Sequence, residues 1–346
     1  MLAYSDTKIQ EIVLHYVGNS FNEELLTLGN SKLEYSSEVE EHLLTYFLSS
    51  FKGNDFHRFY HESHLNLNEI YAYAQAIFED PENLVAHSKS IAKHLYEHSN
   101  HPKVKGGEFY VAHIKNVLLE GEPVEAIGLF KSENKDTFLD VKNEDGNFSI
   151  DSKEGIHIKN LDKGAIIFNT ESADGYVLSV IDNTNKGNDA KFWFDHFLHV
   201  KQREDAYYQT EAVMTIAKEF ITKQLPKEFA ADKADQAEML NKSASYFKEQ
   251  EDFDLSEFAN VVLQQPDIVD NFQEFTTSYQ RERAVSIPEN FQLNETAVNK
   301  KKGVFKSVIK LDKNFSVYVH GDRNKIERGE NENGRKFYTL WYDDEK

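Results

Sequence analysis

FYVAHIKNVLL (109–119), VEAIGLF (124–130), TFLDV (137–141), NFSI (147–150), GIHIKN (155–160), AIIFN (165–169) and GYVLSVI (175–181) follow one another between Gly107 and Ile181. β-Branched and aromatic residues fill these runs, and Gly, Asn and Asp separate them, as at Asp145-Gly146 and Asp174-Gly175. That is the pattern of strands joined by tight turns. Parallel strands need crossovers of a dozen residues or more, so connections this short predict a largely antiparallel sheet. Gly106-Gly107 reads as the turn into the first strand.

Outward toward the N-terminus, residues 9–17 alternate, with Ile12, Leu14 and Tyr16 facing one way and Val13, His15 and Val17 the other. This period of two predicts another strand. Ser37 and Glu40 read as a capping box ahead of Val39, Leu43, Leu44, Phe47, Leu48 and Phe51, which recur at helical spacing. A second helix is expected over 67–78. A third starts with Asp80 as cap and Pro81 in the first turn, carrying Leu84, Ile91 and Leu95 inward.

Toward the C-terminus, the aromatic segment FWFDHFL (192–198) fits either core or a self-association surface, and makes a homodimer an open expectation. Residues 204–225 read as a helix with Val213, Ile216, Ala217, Phe220 and Ile221 on one face and Pro226 as its stop. Helix is expected again over 228–249. Asp254 with Glu257 caps a helix bearing Phe258, Val261 and Val262, and another runs over 267–280 with Val269, Phe272 and Phe275 inward. Strands return as VFKSVIKL (304–311), FSVYVH (315–320) and KFYTLWY (336–342), with Asn333-Gly334 as the turn before the last. Helices and strands that segregate in this way define an α+β class. The expected organisation is an α+β domain over 1–200, a helical region over 201–285 and a small basic β meander over 286–346.

Of 346 residues, 40% are hydrophobic, including 25 Phe and 17 Tyr, enough for a sizeable core. There is no cysteine, which excludes disulfides, thiolate metal sites and cysteine nucleophiles. The opening MLAYSDTKIQEIVLHYVG lacks the basic, apolar and small-residue parts of a signal peptide. No apolar run approaches the roughly 20 residues of a membrane span, so no membrane association is expected and the cytoplasm is the expected compartment. The formal net charge of −20 repels phosphate backbones at long range. Any contact with nucleic acid must therefore be local.

Nothing in the sequence marks a catalytic site or a cofactor. GxxxxGK[ST], a GxGxxG after a strand, and GxSxG are all absent. His57, His61 and His64 would share one face if 55–65 were helical, but the glutamate of the zincin motif is missing. His87, His94, His98 and His101 would form a second stripe. Both sets read as solvated or half-buried polar positions, and no metal site is assigned.

The charge inverts near the C-terminus. Between Asn299 and Lys336 stand Lys300, Lys301, Lys302, Lys306, Lys310, Lys313, Arg323, Lys325, Arg328, Arg335 and Lys336, eleven cations against five carboxylates. Strand geometry over 304–311 puts Phe305, Ile309 and Leu311 on one face and Lys306 with Lys310 on the other, beside Lys300–Lys302. All of these cations except Lys313 are the candidate nucleic-acid contacts. The opposing reading is that they guard an edge strand or pair with the protein's own carboxylates.

Four pieces carry a family resemblance: KIQEIVLHYVG (8–18), HPKVKGGEFYVAHIKNV (101–117), FWFDHFLHVKQREDAYYQTEAV (192–213) and FKSVIKLDKNFSVYVHGDRNKIERG (305–329). In order and spacing the chain resembles the bacterial nucleoid-associated proteins of the NdpA type, in the branch found in Bacteroidetes-type bacteria. The resemblance implies a nucleoid location, DNA binding and no catalytic residues. It supplies no residue-level DNA-binding motif, so the candidate contacts rest on charge and strand geometry. Two roles follow: a non-enzymatic protein that touches DNA directly without sequence preference, or an acidic scaffold that reaches the nucleoid through other nucleoid proteins.

Overall fold

The computed structural model describes residues 6–53, 55–185, 192–283, 285–320 and 323–344. The chain forms two compact units, Met1–Arg203 and Glu204–Lys346.

The first unit holds β1 (Lys8–Val17), β2 (Leu26–Thr27), α1 (Ser37–Leu48), β3 (Phe56–Phe59), α2 (Glu69–Glu79), α3 (Leu84–His98), β4 (Gly107–Leu119), β5 (Glu122–Ser132), β6 (Asp136–Glu144), β7 (Asn147–Gly155), β8 (Lys163–Phe168), β9 (Val177–Asp182) and β10 (Val200–Gln202). Its main sheet has the order β10-β3-β9-β8-β5-β4-β1-β2, and every pairing in it is antiparallel. Both faces are covered. Phe109, Val111, Ile127, Leu129 and Ile167 pack with α2, α3 and the 192–198 segment. Tyr110, Ala112, Ile114, Phe130, Ile166 and Phe168 lie under α1, where Phe47 stacks on Phe130 at 4.1 Å and 6°. Burial on both sides explains the nearly unbroken apolar runs of the strands.

The turns follow the glycines. Glu120 and Gly121 between β4 and β5, and Asp145 and Gly146 between β6 and β7, all have positive φ, as a two-residue hairpin loop demands. Gly107 is glycine for another reason: a Cβ there would lie 1.8 Å from the Ser132 carbonyl oxygen on the neighbouring strand. Phe192, Trp193, Phe197 and Leu198 are buried in a π-helical turn, with Trp193 Nε1 donating to the Gly164 carbonyl at 3.3 Å. The aromatic cluster is core, and it turns Asp195 and His196 outward.

Several sequence expectations shift. Ser36, not Ser37, caps α1, accepting from Val39 N, while Glu40 instead accepts from Ile9 N at 3.1 Å. GIHIKN is a loop beyond Gly155, held by a turn in which His157 Nδ1 accepts from Lys159 N at 3.1 Å. His57 lies in β3, not on a helix, so the stripe with His61 and His64 does not form. β3 and β10 close one edge of the sheet with four and three residues, too few to show a period.

TFLDV and NFSI do form strands, but as β6 and β7 they pair, among the described residues, only with each other. One face of this ribbon carries Leu139, Val141, Phe148 and Ile150, between 59% and 72% exposed. The other carries the ion pairs Lys153–Asp140 at 2.5 Å and Lys142–Asp151 at 3.3 Å. At the ribbon's base the register sets Lys131 beside Lys163, and Lys163 beside Asp182. Both lysines are buried, yet their charges are matched. Glu133 receives Lys131 at 3.1 Å and Lys163 at 2.7 Å, and Lys163 also meets Asp182 at 3.5 Å.

The second unit holds α4 (Ala206–Glu219), α5 (Leu225–Glu228), α6 (Lys233–Glu249), β11 (Asp252–Asp254), α7 (Leu255–Val262), α8 (Pro266–Arg283), β12 (Asn290–Gln292), α9 (Glu295–Lys301), β13 (Val308–Leu311), β14 (Phe315–Tyr318), β15 (Ile326–Glu330) and β16 (Lys336–Leu340). Pro226 does not stop α4. A π-helical stretch over Phe220–Gln224 intervenes, and the proline sits in the first turn of α5, where its missing N–H costs nothing. The helix expected from 228 begins at 233, because Ala230 adopts a left-handed conformation. Asp232 then caps α6 in a capping box with Asp235. Asp254 caps α7 as expected, accepting from Glu257 N at 2.7 Å. Phe220, Phe247, Phe253, Phe258 and Phe272 form the centre of this unit's core.

Two predictions follow from the first unit. Replacing residues 136–155 by an Asn-Gly turn should leave the rest folded, with stability changed by about 1 kcal/mol or less; calorimetry showing loss of the cooperative transition would refute the ribbon's independence. His15 is buried, and that burial, aided by Lys89, lowers its pKa from 6.5 to about 4. The unfolded chain therefore takes up this proton first, and about 3 kcal/mol of stability should be lost as pH falls from 6.5 to 4. Nδ1 of His15 accepts from Gly29 N at 3.0 Å, a bond that His15→Asn can replace. Denaturant titrations should show a flatter acid limb for that variant.

Candidate nucleic-acid interface

The ten candidate cations divide by partner. Asn294 caps α9 by accepting from Ala297 N at 3.0 Å, and buried Ala297 seats the helix. The last turn then lays Lys300 and Lys301 against α4. Lys300 donates to the Tyr207 hydroxyl at 2.6 Å and lies over its ring at 5.2 Å. Lys301 donates to the Glu211 carbonyl at 2.9 Å and to Thr215 Oγ1 at 2.8 Å. The Glu211 carboxylate stands within 4 Å of both ammonium groups. These two lysines pin α9 to α4.

Arg323 has a comparable role. It donates from Nε to Asp235 at 2.8 Å and from NH2 to Asp232 at 3.2 Å, and also bonds the Ile326 carbonyl. Partial burial works against its charge, but the bond to Asp235 and the field of Asp232 prevail and raise its pKa. The same carboxylates cap α6, so the arginine fastens the start of β15 to that helix. Lys325 pairs with Asp343.

The other six, Lys302, Lys306, Lys310, Arg328, Arg335 and Lys336, are exposed. None makes an ion pair among the described residues. The strand expected over 304–311 is shorter than the apolar pattern suggests. Residues 302–305 form a 3-10 turn that stacks Phe305 on Phe247 at 5.6 Å and 15°, and β13 starts only at Val308. Lys306 stands in extended conformation between them. Val319 N donates to the Ser307 carbonyl at 2.9 Å, which carries the ladder one step past β13. Alternation then holds: Phe305, Ser307, Ile309 and Val319 are buried, and Lys306 and Lys310 share the outer side. Asn241 of α6 donates to the Val319 carbonyl at 2.9 Å and bonds Ser307.

The second hairpin, β15 with β16, includes a strand that the sequence pattern missed, since IERGE has one apolar residue. Asn333-Gly334 makes its turn, with Gly334 at φ 73°. Arg328 faces Tyr338 and Glu330 faces Lys336 across it. Strand β14 ends at Tyr318 and β16 at Leu340, both short of their expected ends. Ile309, Val319 and Ile326 bury against Ala234 and Ala237 of α6, so both hairpins rest on that helix.

The histidines are held by local contacts. His61 Nδ1 accepts from Ser63 N, and His64 Nδ1 from Asn66 N. On α3, His94 contacts Glu69 and lies 4.4 Å from the His98 ring. Among the described residues no group of three or more His, Asp or Glu is placed to hold a metal ion. No helix among them is long and apolar enough to cross a membrane.

No curated protein matches the chain. A family model, that of nucleoid-associated protein YejK, matches residues 13–340, a span that takes in the sheet, the helical core and both C-terminal hairpins. With that coverage, the chain belongs to the family of nucleoid-associated protein YejK.

Proposed function

We propose that this nucleoid-associated protein is a binding protein, not an enzyme, and that it touches DNA directly through the unpaired cations of its C-terminal hairpins. The observation that carries this reading is the division among the cations. Lys300, Lys301, Arg323 and Lys325 are spent on the protein's own groups, while Lys302, Lys306, Lys310, Arg328, Arg335 and Lys336 face solvent without an ion pair among the described residues. In a chain of net charge −20, such a patch attracts phosphate only at short range, because screening sets in within about 10 Å at 0.1 M salt. Contacts to phosphate alone give affinity without sequence preference.

Equilibrium titration of the full chain with labelled duplex across salt concentrations tests the reading. Six phosphate contacts correspond to a log–log slope of about −5. Changing Lys306, Lys310, Arg328 and Lys336 to Glu should abolish measurable binding in a protein that still melts cooperatively. Lys301→Ala and Arg323→Ala should do the reverse, lowering the melting temperature while leaving the slope intact. A folded quadruple variant with the unaltered slope would remove the site from these hairpins. Absence of binding at low salt would instead favour association through basic partner proteins on the acidic surface.

A further inference from the structure

The outer side of the first C-terminal hairpin holds more than charge. β13 and β14 pair Val308 with Tyr318 and Lys310 with Ser316. Directly opposite residues share a face, and the ladder continues through Val319 N and the Ser307 carbonyl. Lys306 and His320 therefore belong to the same side as Lys310 and Tyr318. Six residues make up this face, Lys306, Val308, Lys310, Ser316, Tyr318 and His320, and none is a carboxylate. In so acidic a chain, that composition separates the face from its surroundings.

Its rings are out in solvent. Tyr318 is 65% exposed and His320 is exposed beside it. Their centroids lie 6.4 Å apart with planes within 16°. The opposite side of the hairpin supplies the apolar anchors on α6, so these two rings are not needed to hold the hairpin down. Lys306 stands opposite His320 and Lys310 lies beyond Tyr318, four residues or about 13 Å along the strand. Ring faces beside ammonium groups do not match a carboxylate, and a duplex phosphate edge would engage the lysines while leaving the rings unused. They match a nucleic-acid strand whose bases are free to stack while its phosphates meet the lysines. In a duplex those base faces are already covered by their neighbours.

We propose that this face binds unpaired nucleotides, stacking bases on Tyr318 and His320 while Lys306 and Lys310 take the adjoining phosphates. The inference rests on the reading of these lysines as DNA contacts and adds to it a preference of this face for single-stranded segments.

The test compares three labelled ligands on the full chain at one salt concentration: an oligothymidylate, an abasic deoxyribose-phosphate chain of equal length and charge, and a duplex. The oligothymidylate should bind about tenfold or more tighter than the abasic chain, the gain expected from one or two stacked bases. A combined Tyr318→Ala and His320→Ala variant should lose that advantage and keep its duplex affinity within about twofold, and Tyr318→Phe should keep the advantage. Equal binding of the oligothymidylate and abasic chains, or equal weakening toward all three ligands in the alanine variant, overturns the stacking face while leaving the phosphate contacts standing. If no ligand binds, the stacking face and the direct DNA contact fall together. Cooperative melting of each variant excludes unfolding as the cause, and both side chains are exposed enough for that control to succeed.

Discussion

The pairing of β4 with β5 is the constraint on which the rest of the first unit depends. Both strands are covered on both faces, so a slip by one residue would exchange the side chains under α1 for those under α2 and α3. The close approach of Gly107 to the Ser132 carbonyl fixes the end of that pairing. The same register carries Lys131 of β5 into the interior beside Lys163 of β8, where Glu133 and Asp182 meet them. Burial leaves the Lys131 amine with a lowered pKa, although Glu133 opposes the shift. Such a network adds little net stability compared with apolar packing, but removing one member typically costs about 3–5 kcal/mol. It therefore penalises other registers more than it rewards this one.

Much of this architecture is legible in the sequence where burial leaves a clean signature. FYVAHIKNVLL, AIIFN and GYVLSVI are strands because both faces are covered, and Phe258, Val269 and Phe272 mark their helices because one face is. The misses have physical causes as well. Ile156 and Ile158 alternate as a strand would, but the chain turns at His157. β3, β10 and β15 are too short or too polar to show a period. Pro226 reads as a stop, yet a π-helical stretch upstream lets the chain re-enter a helix with the proline in its first turn.

The basic stretch shows the limit more sharply. Charge counting locates an inversion of sign, and alternation places Lys306 and Lys310 on one side. Neither reveals that Lys301 is held by Glu211 and Thr215, some 90 positions earlier in the chain, or that Arg323 is held by the capping carboxylates of α6. Partners that distant belong to tertiary structure. The sequence locates the patch, and the fold decides which of its charges are free.

The β6–β7 ribbon has a consequence for how the molecule behaves in concentrated solution. Four large apolar side chains on one face and two strand edges unpaired among the described residues are the ingredients of strand addition between molecules. Residues 136–155 set six carboxylates and two lysines among them, and a net negative charge of this kind opposes edge-to-edge docking of neighbouring ribbons. Colloidal stability is thus written into the segment least needed for the core.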